Sequence, residues 1–301
     1  MRKPDRRIGT ALLLGTALAF GAGSVAVAAD KPVKGGVLSF VVGSKIPSYD
    51  GHQETTFGMI HPIRPFYSLL IRINPENPQS TTDFICDLCE KYSIKDGGKS
   101  YVFDIRKNVK FHDGTPLTAA DIKASIDKIA FPPKGIPSSR KAWYTQIASV
   151  ETPSKYQVVI KMKRALSAML PALASPFNFI YSKKDLDKNG YAWHKKNING
   201  TGAFKFVQQQ PGAFVEGKRY DAFHVKGLPY LDGYKAISAP KMSVRLPAIR
   251  GDRAAIEFRG FPPKARDDLV KALGKKVKVQ ESNWNVLFGA GANQKKKRFQ
   301  D

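Results

Sequence analysis

The chain has 301 residues, which is enough for two domains or for one large one. Its hydrophobic content of 42% is ordinary for a protein that buries a core. The formal net charge of +24 could indicate a nucleic-acid binder, but the lysines are spread along the whole chain. We therefore attribute the charge to solubility, surface adhesion or attraction of anionic partners.

The first 29 residues differ from the rest of the chain. A basic start at Arg2, Lys3, Arg6 and Arg7 is followed by an apolar, small-residue stretch over 8–27. The small residues Ala-Val-Ala-Ala at 26–29 offer a cleavage site. This pattern predicts a secretory signal peptide at 1–29. The leucine-rich part, 8–20, is short for a membrane span. We expect a bacterial protein that is periplasmic or extracellular, and we predict the periplasm of a Gram-negative bacterium.

Alternation and turn residues predict several elements in chain order. The glycine-bounded apolar run 35–44 suits a buried strand. Two alternating runs around Asp96-Gly97-Gly98 predict a hairpin over 91–105. A second hairpin is predicted over 147–163, turning at Thr152-Pro153-Ser154. Further strands are predicted at 200–210, 213–220, 229–240 and 275–282, and helices at 166–175, 182–190 and 262–274. Strands and helices mix without a regular βαβ order, so the predicted class is mixed α/β (α+β).

The segment VKFHDGTPLTAADIKASIDKI, residues 109–129, lies between the two hairpins. Asp113-Gly114 predicts a turn, and Thr118 predicts a helix N-cap with Asp121 as its capping-box partner. The helix that follows carries Ile122, Ile126 and Ile129 on one face. His112 is interpreted as a hydrogen-bonding loop residue, because the sequence offers no metal-binding or catalytic partner at a suitable spacing.

Cys86 and Cys89 are the only cysteines and form a CxxC pattern. They precede a predicted hairpin and do not begin a helix after a strand, which disfavours redox catalysis. A zinc site would need two more ligands. In an oxidising compartment the pair predicts a local disulfide or free buried thiols.

Enzyme motifs are missing from the sequence. No histidine is spaced from another as HxH, HxxxH or HExxH, and no GxSxG, P-loop or GxGxxG pattern occurs. We therefore predict no catalytic residue, no metal site and no cofactor.

The segment 109–129 resembles the signature of the family 5 solute-binding proteins, the extracytoplasmic receptors of peptide and nickel ABC importers. Ala203 and Arg298 stand where that family usually has proline. Together the resembling segments cover residues 30–301. Five further segments resemble the family in the same order, at 96–111, 200–212, 227–235, 248–260 and 288–301.

The resemblance implies a periplasmic-binding-protein-like, type II-like clamp of two lobes that close on a ligand. Residues 30–240 would form the first lobe, with an inserted subdomain at about 66–185. Residues 241–301 would begin the second lobe. Family members are much longer, so a truncated chain is expected, without the second-lobe aspartate that usually fixes a peptide's amino terminus.

The resemblance also implies where ligand contacts would arise. The best candidate is the segment 43–51 after the first strand, where Ser44 or Tyr49 could meet a peptide backbone. The loop Gly200-Thr201-Gly202 is the second candidate. For both, the alternative is a structural turn, because glycine and proline dominate loops for backbone reasons.

The predicted function is therefore a solute-binding component that delivers di- or oligopeptides to an inner-membrane ABC permease. We expect a monomer that does not bind nucleic acid. A receptor for nickel or another small solute is the alternative within the family. Outside it, a secreted CxxC thiol oxidoreductase would need Cys86 at a helix start, and a basic surface adhesin or nucleic-acid binder would lose binding steeply with salt.

Overall fold

The computed structural model describes residues 32–258 and 260–280, and the elements named here lie in the unit that begins at Lys34. The helices are α1 (Phe57–Ile63), α2 (Ala119–Ala130), α3 (Met169–Leu173), α4 (Lys183–Asn189), α5 (Met242–Arg250) and α6 (Pro263–Leu273). The strands are β1 (Val37–Val42), β2 (Ile71–Ile73), β3 (Phe84–Cys86), β4 (Cys89–Lys95), β5 (Ser100–Ile105), β6 (Ile147–Ser154), β7 (Gln157–Met162), β8 (Phe204–Gln210), β9 (Phe214–Arg219), β10 (Gly233–Ser238) and β11 (Ile256–Glu257).

Two main sheets organise these strands. The five-stranded sheet has the order β11-β1-β10-β9-β8, in which β1 runs parallel to β10 and β11. The four-stranded sheet has the order β4-β5-β7-β6 and is antiparallel throughout. It is built wholly from residues between β1 and β8, so the chain leaves the first sheet after β1 and returns to it with β8. The architecture is mixed α/β, as the sequence predicts.

Each main sheet covers a hydrophobic core. Under the four-stranded sheet, α2 buries Ile122, Ile126 and Ile129, and this confirms the apolar face read from their spacing. The five-stranded sheet covers a second core that includes Phe40, Phe66, Tyr67, Phe179 and Tyr234. Strand β1 is buried only in its second half, residues 40–42, whereas Val37 at its start is 64% exposed.

The predicted hairpin around Asp96-Gly97-Gly98 is confirmed as β4 and β5. The turn of the second hairpin was predicted two residues too early. Strand β6 continues through Pro153 to Ser154, and the chain turns at Lys155-Tyr156. Strand β6 is the edge strand of its sheet, and an edge strand tolerates a proline that cannot donate to a neighbour.

The strand predicted at 275–282 is wrong for the residues that the structure describes. Residues Gly274–Lys276 form a 3₁₀ turn, and 277–280 pair with no described strand. An alternating pattern alone does not make a strand, because the backbone needs a partner for its hydrogen bonds.

Beyond residue 240 the chain forms α5, and β11 then pairs with β1 in the five-stranded sheet.

Within residues 32–258 and 260–280, no helix is long and apolar enough to cross a membrane. The predicted signal peptide at 1–29 and the resembling segment 288–301 lie outside the described residues. The division into a first lobe, an inserted subdomain at about 66–185 and the start of a second lobe stays a prediction.

Candidate functional site

Three parallel strands end at one edge of the five-stranded sheet. Ser44 follows β1, Ala239 follows β10 and Phe258 follows β11. Open sheets with parallel strands bind ligands outside the carboxyl ends of those strands, because the connecting loops there form a crevice. A ligand site is therefore expected at this edge.

A small concavity lies at this edge, with room for about one water molecule. Ser44 and Ser238 both line it, and each has a buried hydroxyl oxygen with no hydrogen-bond partner among the described residues. Buried polar groups are nearly always paired, so two unpaired hydroxyls in one concavity require an explanation. Both oxygens are closed to solvent in this structure, so a ligand would reach them only after the neighbouring groups move. The other lining residues are Val42, Ile46, Pro62, Gln209, Gln210, Gly212, Phe214 and Ala236.

Tyr49 reaches the same region from the loop after β1. Its hydroxyl donates to the Gln209 side-chain carbonyl, and Gln209 lines the concavity together with Ser44. The Tyr49 ring packs at a tilt against Phe206, with 6.0 Å between centroids. Burial raises the pKa of Tyr49, so its hydroxyl stays protonated and can donate. Tyr49 thus bonds to a glutamine that lines the same concavity as Ser44.

A row of exposed rings continues along this edge. The side chains of Phe57 and Phe258 are 49% and 44% exposed. Between them His61 stacks on Phe258, with ring centroids 4.4 Å apart and planes within 7°. These residues were missed at the sequence level, because helix α1 contains Pro62 and gives too short an apolar pattern to be recognised.

The glycine loop Gly200-Thr201-Gly202 does not join this group. It is buried against residues 65–68: Gly202 N–H donates to the Phe66 carbonyl at 3.0 Å, and the Ser68 hydroxyl donates to the Thr201 carbonyl at 3.1 Å. Gly202 lines a separate concavity of about 350 Å³. The structure gives the three residues a packing role, and their contact with a ligand stays a prediction.

His112 and Asp113 form a structural joint. The His112 backbone N–H donates to the Gly200 carbonyl at 2.8 Å, and its ring Nε2 lies 3.0 Å from the Gly202 carbonyl. Burial lowers the pKa of His112 to about 4. Asp113 accepts hydrogen bonds from Thr115 and so closes the turn. The residues that look most like a catalytic pair therefore connect the turn to the glycine loop.

Cys86 and Cys89 are joined by a disulfide in the structure. Cys86 ends β3 and Cys89 begins β4, so neither lies at a helix start where a dipole would lower a thiol pKa. Asp87 between them accepts a hydrogen bond from Leu69 N–H at 2.8 Å and pairs with Arg64 at 3.3 Å. The pair thus lies in a packed turn. Among the described residues no group of three histidine, cysteine or acidic side chains could hold a metal ion.

Comparison with known proteins gives one consistent result. The sequence model of the bacterial extracellular solute-binding proteins, family 5 middle, matches residues 83–301. The glutathione-binding protein GsiB of Salmonella typhimurium strain LT2 is 32% identical over 149 residues, which are 48% of this chain and 28% of that protein.

Two solved structures are similar in fold. The oligopeptide-binding protein AppA of Bacillus subtilis, in complex with a nonapeptide, has a TM-score of 0.70 at 24% identity over 80% of this chain and 47% of that one. AgaA of A. tumefaciens R10, in complex with agropinic acid, has a TM-score of 0.64 at 28% identity over 72% of this chain and 43% of that one. The chain thus spans less than half the length of each of these proteins.

Proposed function

Because the chain belongs to the family 5 bacterial extracellular solute-binding proteins, we propose that it recognises small peptides for an ABC importer. The observation that carries the proposal is the convergence of Ser44, Ser238 and Gln209 at the carboxyl edge of the sheet, where Tyr49 bonds to Gln209. A peptide backbone presents alternating donors and acceptors, and hydroxyl groups can bond to both.

The surroundings of the concavity support an amide ligand. Gln209 and Gln210 add side-chain amides, and the exposed rings of Phe57 and Phe258 offer apolar surface to a ligand side chain. The relative GsiB is named for binding glutathione, which is a tripeptide, and AppA was solved with a nonapeptide. The name of GsiB supports a peptide ligand, and a binding test decides between a peptide and nickel.

The remaining parts of the proposal concern location and partners. We propose that residues 1–29 are a signal peptide, that the protein acts as a monomer in the periplasm and that it delivers its ligand to a permease in the inner membrane. The clamp would close with a second lobe that begins after residue 240. Contact of the ligand with Tyr49 belongs to the same proposal, since the Tyr49 hydroxyl bonds to Gln209.

The test is a thermal-shift screen of the chain against reduced glutathione, di- to nonapeptides and the Ni(II)–histidine complex, followed by calorimetry. We expect one-to-one binding of a peptide with little dependence on salt. Ser44→Ala should weaken that binding about tenfold, which corresponds to one lost hydrogen bond. Ser93→Ala, on the exposed face of β4, is the matched control and should bind normally. Binding of nickel–histidine alone, or of no peptide, would contradict the proposal.

A further inference from the structure

The loop that carries Ser44 and Tyr49 is held by side chains from other parts of the chain. We define the β1 loop as residues 43–56, which connect β1 to α1. Its return half is buried, with Asp50 and His52 only 2% and 1% exposed. The Ser48 hydroxyl donates to the Glu54 carboxylate at 2.6 Å, so the outgoing half is tied to the return half.

A short segment before β6 binds four successive carbonyls of that return half. Arg140 Nη1 donates to the carbonyls of Gly51 at 3.3 Å and Glu54 at 2.9 Å. Ser139 N–H donates to the His52 carbonyl at 3.2 Å, and the Ser139 hydroxyl donates to the Gln53 carbonyl. Four successive carbonyls are thus satisfied by two adjacent residues. Without these donors, the carbonyls of the buried residues Gly51 and His52 would lose these hydrogen bonds, which would destabilise the folded loop.

The charged side chain of Arg140 interacts with the carbonyls of this loop and not with a described carboxylate. Its side chain forms no ion pair with a carboxylate among the described residues, and its guanidinium lies 3.5 Å from the centroid of the Phe177 ring. The residue is only 6% exposed. A buried arginine that binds carbonyls and an aromatic ring holds backbone in place with little freedom of its own.

A buried ion pair fixes the loop at a second point. Lys128 of α2 bonds both carboxylate oxygens of Asp50, at 2.8 and 2.7 Å, and the two side chains are 0% and 3% exposed. The Tyr181 hydroxyl donates to the same carboxylate at 2.9 Å. Burial opposes the ionisation of Asp50, but Lys128 outweighs it and lowers the pKa of the carboxyl. The pair is therefore charged, and removing one partner alone would leave the other buried without compensation.

We propose that Arg140 and Lys128 are positioning residues that hold the β1 loop in its ligand-binding conformation. Both come from the excursion between β1 and β8, so the four-stranded part of the molecule stabilises a site at the edge of the five-stranded sheet. The inference rests on the proposed function, because it takes the β1 loop as part of the ligand site.

The test combines hydrogen exchange, which needs no ligand, with glutathione binding. Arg140→Met removes the hydrogen-bond donors, whereas Arg140→Lys keeps the charge and one donor site. The control is Ile160→Val or Ile160→Ala in β7, whichever has a melting temperature equal to that of Arg140→Met. We expect Arg140→Met to raise exchange of the amides in 43–56 and the Kd for glutathione about tenfold above the control. Arg140→Lys should recover part of both.

Lys128 is tested through a charge-balanced variant. Lys128→Met alone strands a buried carboxylate and is expected to fold poorly, whereas Asp50→Asn with Lys128→Met removes both charges. The double variant should fold but show faster exchange in 43–56 and weaker glutathione binding.

The outcomes separate the two proposals. If exchange in 43–56 matches the Ile160 control, or if the loop loosens while the Kd is unchanged, the positioning role is wrong. If the unmodified chain binds no peptide, the proposed function fails, and the exchange measurement still decides whether Arg140 and Lys128 hold the loop.

Discussion

At the scale of single residues, Gly200 has no room for a side chain, because the carbonyl oxygen of Phe66 occupies the space that a Cβ would need. A Cβ added to Gly200 would meet that oxygen at 2.0 Å, and one added to Gly202 would meet the Pro65 carbonyl at 2.3 Å. Both glycines are therefore required by the close approach of two backbone segments. Gly135 differs, since it has a φ of +83° but no heavy atom within 4 Å of an added Cβ.

These two kinds of glycine give a prediction. Gly200→Ala should lower the free energy of unfolding by about 3 kcal/mol, because neither backbone segment can move away without breaking hydrogen bonds. Gly135→Ala should cost about 1 kcal/mol, from its left-handed backbone alone. Urea denaturation of the two variants measures the difference, and equal losses would show that Gly200 is not confined as described.

At the scale of the element, the start of α2 is held by hydrogen bonds to a single carboxylate, that of Asp121. The Asp121 carboxylate accepts hydrogen bonds from the backbone N–H of Thr118 at 2.8 Å and from its hydroxyl at 2.9 Å, and the capping box predicted from the sequence is confirmed. Asp121 also accepts from the Lys183 N–H at 2.8 Å, at the start of α4. One carboxylate therefore joins two helix starts.

Substitutions at this joint should affect stability and leave binding unchanged. Thr118→Ala should cost about 1 kcal/mol, the usual value of a helix cap. Asp121→Ala should cost more, because it also releases the N–H of Lys183. Chemical denaturation and peptide calorimetry check both statements. A selective loss of affinity in a stable Thr118→Ala variant would show that this segment contacts the ligand.

At the scale of the whole molecule, buried neutral histidines link stability to pH. Burial lowers the pKa of His112 to about 4 and that of His194 to about 3. Unfolded histidine binds a proton near pH 6.5, whereas the buried ring does so only near its lower pKa. Between these values protons favour the unfolded chain, so stability is lost as the pH falls.

His112→Gln tests this linkage. Between pH 7 and pH 4.5 the free energy of unfolding of the unmodified chain should fall by about 2 kcal/mol more than that of the variant, because glutamine does not titrate. Denaturation curves at the two pH values measure it. Parallel losses in both proteins would mean that the His112 ring already takes up a proton in the folded state.

Local patterns explain which elements could be predicted. The strand at 35–44, the turn at Asp96-Gly97-Gly98 and the cap at Thr118 depend on residues next to each other in the chain. The second hairpin turn was misplaced, because only the position of β6 at the sheet edge makes Pro153 acceptable within a strand. The strand expected at 275–282 failed over its described part for want of a pairing partner.

The candidate site could be predicted only in part. Ser44 and Tyr49 were chosen from their position after the first strand, and in the structure Tyr49 bonds to Gln209, which lines the same concavity as Ser44. Phe57 and Phe258 gave no sequence signal. The bonds of Ser139 and Arg140 to the β1 loop join residues 86 to 89 positions apart, which no local periodicity encodes.

The sequence by itself determined the family, through several motifs in a fixed order, and the mixed α/β class, through local propensity and hydrophobic period. Only the tertiary structure decided which groups near the ligand edge lack hydrogen-bond partners, which glycines are confined and which distant side chains anchor the β1 loop. The reason is physical: burial and hydrogen-bond satisfaction are properties of segments brought together in space, and neither can be read from neighbours along the chain.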